Sequence, residues 1–65
     1  MEVREVRGVK LGGEFVGRVE RVVALDGSAC WFAYVGMACV GALPGSSSEE
    51  ELEEFVSEVF AHVVS

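Results

Sequence analysis

The sequence predicts one α+β domain: a curved antiparallel sheet in β-β-β-α order with a single amphipathic C-terminal helix packed on one face. The sheet has three strands, or four if the third folds back on itself. Three observations lead there. Residues 49–63 carry apolar side chains at helical spacing behind a serine and glutamate start. Residues 14–42 are rich in valine, aromatic residues and glycine around an Asp-Gly pair. Finally, 65 residues with 51% hydrophobic content make one small core and no more.

The first strand is placed over residues 2–10. Val3, Val6 and Val9 fall at every third position, which matches neither the strand nor the helix period, and Gly8 disfavours a helix. Gly12-Gly13 turns the chain into a second strand over 14–25. Leu25-Asp26-Gly27-Ser28 is the strongest hairpin signal, read as a two-residue type I′ turn with Leu25 opposite Ser28. That register sets Val23 against Cys30, Arg21 against Phe32, Val19 against Tyr34 and Gly17 against Gly36. Phe15, Val19, Val23, Leu25, Cys30, Phe32 and Tyr34 then share the side the helix covers. Val16, Val22, Trp31, Ala33, Val35 and Met37 share the other, with Arg18 and Glu20 among them.

The third strand is placed over 29–42, with the two facing glycines as the site of a bend or bulge. A tight turn at Gly36 would instead divide it and pair Cys39 with Tyr34, not with Cys30. Either way the cysteines lie too far apart for a disulfide and are expected to be reduced. Leu43-Pro44-Gly45 ends the sheet. The helix is placed over 48–64. Ser48 with Glu51, or Ser47 with Glu50, reads as a capping box, and Leu52, Phe55, Val56, Val59, Phe60 and Val63 form its apolar stripe. Glu50, Glu53, Glu54, Ser57 and Glu58 lie on the opposite side.

From Leu43-Pro44-Gly45 through the serines and the helix to Val63, the chain resembles the L-P-G-C…T-x-E-E-A segment of HicB-type antitoxins, whose β-β-β-α core has this order. Here no cysteine follows the Pro-Gly and no alanine follows the glutamate pair. No residue role is carried over from the likeness.

Charge is segregated along the chain. All five basic residues, Arg4, Arg7, Lys10, Arg18 and Arg21, precede residue 22, whereas residues 49–65 hold six glutamates and no lysine or arginine. The net charge of −6 disfavours non-specific binding to phosphate backbones and suits a basic partner surface. Met1–Lys10 is charged throughout with no apolar stretch after it, so no secretory leader is expected and a cytoplasmic location is. Ala29–Leu43 is uncharged but falls short of the ~20 apolar residues that span a bilayer, so no membrane segment is expected either.

Candidate chemistry is sparse. His62, the only histidine, belongs in the last helical turn, where the dipole favours a cation. Asp26, the only aspartate, is explained by its turn. Glutamates 49–54 diverge around a helix instead of converging on one ion, and no nucleophile or phosphate-loop motif is present. The sequence therefore predicts a non-enzymatic protein with no cofactor or metal. One helix covers one sheet face, so Val16, Val22, Trp31, Val35 and Met37 are assigned to a homodimer interface. The acidic helix face, Glu50, Glu53, Glu54 and Glu58, is assigned to a basic protein partner, in the manner of a small regulator or inhibitor. A second reading is a small-molecule pocket between protomers around Trp31, Tyr34 and Met37. A third, weaker one is stacking of single-stranded nucleic acid, held back because Trp31 and Phe32 point to opposite faces.

Overall fold

The structure, a computed structural model, describes residues 3–64. Four strands, β1 (Val3–Leu11), β2 (Glu14–Val23), β3 (Ala29–Val35) and β4 (Ala38–Pro44), precede one helix, α1 (Glu49–Val64). Consecutive strands pair antiparallel in the order β1-β2-β3-β4, which leaves β1 and β4 as the edges. The α+β class and the strands-then-helix order agree with the sequence. The strand count takes the four-strand form.

The expected third strand over 29–42 is two strands. Gly36, at φ 61, and Met37 make a two-residue turn between Val35 and Ala38, the geometry of a II′ hairpin that starts on glycine. Tyr34 pairs with Cys39, as a turn at Gly36 requires. Gly36 therefore does not face Gly17. A register shift does fall beside Gly17, between Val9 and Lys10, where Gly17 pairs with Val9, Phe15 pairs with Lys10 and Val16 is the extra residue.

The β2–β3 turn corrects the register by one residue. Val23 pairs with Ala29, Val22 with Cys30, Arg21 with Trp31, Glu20 with Phe32 and Val19 with Ala33. The loop is Leu25-Asp26-Gly27, three residues and not two. Gly27 N–H donates to the Ala24 carbonyl at 3.0 Å and Ala24 N–H to the Ser28 carbonyl at 2.8 Å, a type I turn followed by glycine at φ 87. A type I′ turn would need Asp26 at positive φ as well, and among the described residues no non-glycine adopts it. Asp26 instead accepts from Ser28 N–H at 3.0 Å and Ser28 Oγ–H at 2.6 Å, which holds its carboxyl below the ordinary value.

A slip of one residue exchanges the two faces of a strand. The helix covers Val9, Val19, Trp31 and Ala33, and the core they form with Leu52 and Phe60 is nearly closed: Trp31 is 4% exposed, Ala33 and Phe60 0%. Val16, Val35, Leu43, Phe55, Val56 and Val59 pack around it. Phe60 lies directly on Gly17, and Phe55 and Val59 lie 3.2–3.3 Å from where a Cβ on Gly41 would stand. Glycine at these two positions lets the helix stripe meet the strands at backbone distance.

The helix begins as a capping box. Glu51 N–H donates to Ser48 Oγ at 3.2 Å, and Ser48 N–H donates to Glu51 Oε1 at 3.1 Å. Of the two pairs compatible with the serine run, Ser48 with Glu51 is the one formed.

Candidate functional site

With the helix on one side, the other side of the sheet is uncovered, and its rows follow from the pairing. Arg4, Val22, Cys30 and Pro44 form one row across the four strands. Val6, Glu20, Phe32 and Ala42 form the next, and Gly8, Arg18, Tyr34 and Cys39 the third. Phe15 lies against Gly8, as the contact a Cβ on Gly8 would make with its ring shows, and is 70% exposed. Phe32 and Tyr34 are half-buried.

Glu20 sits at the centre of this face and is only 6% exposed. Its oxygens are divided between two arginines: Arg18 Nε donates to Oε2 at 2.6 Å and Arg4 Nη1 lies 3.2 Å from Oε1. Arg18 also donates Nη1–H to the Gly36 carbonyl at 2.7 Å, and its guanidinium lies over the Tyr34 ring at 4.7 Å. Lys10 Nζ lies over the Phe15 ring at 4.6 Å. Two of the three rings on this face, Phe15 and Tyr34, thus carry a cation.

Across the sheet, Arg7 ties β1 to the start of the helix. Its Nη1 and Nη2 donate to the two oxygens of Glu49 at 3.1 Å each, its Nε to Glu5 at 2.7 Å, and its guanidinium lies 5.1 Å from the Trp31 ring centre. The fork on Glu49 holds that carboxyl below the ordinary glutamate value, and the two carboxylates raise Arg7. Arg21 Nε donates to the Gly45 carbonyl at 3.3 Å. Arg7 and Glu49 thereby join the first strand to the first helical turn.

The residues assigned to a homodimer interface separate. Trp31 is in the core under the helix, Val16 and Val35 pack against that core, Val22 lies on the uncovered face, and Met37 is fully exposed at the β3–β4 turn. The shared face depended on the two-residue turn at Asp26 and on an unbroken β2, and neither is present. Trp31, Tyr34 and Met37 likewise lie in the core, on the open face and in a turn, and share no surface. Glu50, Glu53, Glu54 and Glu58 are all exposed on the helix.

Cys30 and Cys39 are free thiols, with Sγ of Cys30 directed at the Leu43 carbonyl at 3.4 Å. Among the described residues no group of three His, Cys, Asp or Glu could hold a metal ion, and no helix is long and apolar enough to cross a membrane. Sequence reasoning missed the Arg4–Glu20–Arg18 cluster, and it placed Phe15, Phe32 and Tyr34 on one side but gave that side to the helix. One signal was present: Arg18 with Glu20, and Phe32 with Tyr34, are each two residues apart and so share a face in any strand register.

No protein-family model, curated protein or solved structure matches this chain.

Proposed function

We propose that the protein is a non-enzymatic interaction module, a homodimeric small regulator or inhibitor that presents its acidic helix face to a basic partner. One observation carries this reading. Each of the five basic residues already has a partner within the chain: Arg4 and Arg18 have Glu20, Arg7 has Glu5 and Glu49, Arg21 has the Gly45 carbonyl and Lys10 the Phe15 ring. Glu50, Glu53, Glu54 and Glu58 are exposed along the helix, an acidic surface that suits a cationic partner. Charge complementarity of this kind favours association rate and partner choice.

The homodimer belongs to the same reading, with its seam moved from the face first assigned. β1 carries Arg4, Glu5, Arg7 and Lys10 along its edge, a common defence against pairing, whereas β4 carries no charge. Val40, 42% exposed, and Val63, 39% exposed, line a groove beside β4 with Val59, Glu58 and His62. Pairing β4 to its own copy closes a two-fold dimer.

Charge reversal tests the helix reading. Glu53→Lys with Glu54→Lys is expected to abolish capture of the partner from the native host while far-UV circular dichroism keeps the helix. Undiminished capture by the doubly reversed protein refutes it. Sedimentation tests the dimer separately: a monomer at high micromolar concentration removes it, and Val40→Lys is expected to convert a dimer to a monomer.

A further inference from the structure

We infer that the uncovered sheet face is a binding platform for single-stranded nucleic acid. This goes beyond the helix reading and does not depend on it. The expectation against nucleic acid rested on the charge of the whole chain and on Trp31 and Phe32 facing apart. The structure removes the second objection and localises the first. Trp31 is in the core, and three other rings, Phe15, Phe32 and Tyr34, stand together on a face with no element packed over it.

Phe32 and Tyr34 are two residues apart on one strand, about 7 Å at the rise of an extended chain. Stacking of consecutive bases on sheet aromatics is a general mode of single-strand recognition and tolerates any sequence, because every base has a flat face. Arginine planes serve the same purpose, and Arg18, held by Glu20 and the Gly36 carbonyl, lies over the Tyr34 ring at 4.7 Å.

The charge of this face is positive although the chain's is not. With Arg4 left aside, its described residues include two cations, Lys10 and Arg18, against one carboxylate, Glu20, a net of plus one. The helix glutamates lie across a packed layer of about 10 Å, further than the ~8 Å screening length at physiological salt. Glu20 positions its arginines and cancels one of the two charges. Lys10, whose ammonium rests on the Phe15 ring, is exposed and placed to meet a phosphate beside a stacked base. The complementary ligand has flat rings and backbone anions in alternation.

The probe is an end-labelled oligothymidylate followed by fluorescence anisotropy, with amide chemical shifts read in parallel. Two phosphate contacts, Lys10 and Arg18, give a salt slope near −1.4, so the Kd is expected to rise about sevenfold between about 50 and 200 mM salt. Phe15→Ala is expected to weaken binding about fivefold or more, and Lys10→Gln to lower the slope by about 0.7. Both side chains are exposed, so the variants stay folded. Shifts are expected on Arg18, Phe32 and Tyr34 and absent from residues 50–58. Three results overturn the inference: no binding at about 50 mM salt, binding that neither substitution changes, or shifts on this face that follow protein concentration without oligonucleotide, which assign it to a second copy of the chain.

Discussion

Gly17→Ala tests how the helix is seated on the sheet. Gly17 is not at positive φ, so alanine meets no backbone penalty there and, with open space above it, would stabilise slightly by restricting the unfolded chain. The space is not open. A Cβ at this position would overlap both Cε1 of Phe60 and the carbonyl oxygen of Tyr34. Phe60 is 0% exposed and has no room to retreat, and the carbonyl belongs to the neighbouring strand. Overpacking of this kind costs about 1–3 kcal/mol. A domain of this size has roughly 3–5 kcal/mol in total, so about half its stability is at stake. With a urea dependence of about 1 kcal/mol per molar, the midpoint falls by about 1–3 M. Trp31, in the core under the helix, reports the transition by fluorescence. Adding Phe60→Leu makes room for the ring clash but not for the carbonyl clash, so the double variant recovers part of the loss beyond additivity, about 0.5 kcal/mol or more. An unchanged or raised midpoint in Gly17→Ala, or strict additivity with Phe60→Leu, refutes this account of the packing.

Ser48→Ala removes one half of the capping box and is expected to cost about 1 kcal/mol in urea unfolding followed by helical circular dichroism. Glu20→Gln leaves Arg4 and Arg18 without their carboxylate and is expected to destabilise by about 1–2 kcal/mol, a value moderated by the solvent around both guanidiniums and read from the same unfolding curves. Glu49 titrates below the ordinary value of 4.5 because of Arg7, so its contribution is present above that pH and lost as pH falls through the depressed value. Glu49→Gln is therefore expected to lower Tm near neutral pH and to converge with the parent protein at low pH. A Tm difference that persists undiminished in acid contradicts the Arg7 pairing.

The helix was legible in the sequence because its signals are local: Ser48 and Glu51 are three residues apart, and the stripe from Leu52 to Val63 repeats within one element. The strands were legible as strands. Their register was not, and the reason lies in three residues. Asp-Gly fits a two-residue type I′ turn and equally a three-residue loop in which only Gly27 has positive φ, and the two differ by one position. That position decided whether Phe32 and Tyr34 were core or surface, and whether Trp31 was at an interface or under the helix, while Phe15 left the side of Val19 because Val16 is an extra residue in β2. The alternation of apolar residues on both sides of β2 and β3 gave no preference, since valines and aromatics occur on each. The discriminating fact was long-range: Phe60 and Phe55 need glycine beneath them, and Gly17 and Gly41 lie on the side that carries Val19 and Ala33.

The helix follows all four strands along the chain, and this order bears on synthesis. By the time Pro44 has been added, every strand exists and the hairpins between them need only local contacts to form. The partners of Val19, Trp31 and Ala33 have not yet been made. A nascent sheet at this stage displays an apolar platform on one side, and the interval ends only when Leu52 and then Phe60 arrive. A chain cut off between those two points keeps all four strands with an unfinished core, a state exposed to aggregation and to chaperones.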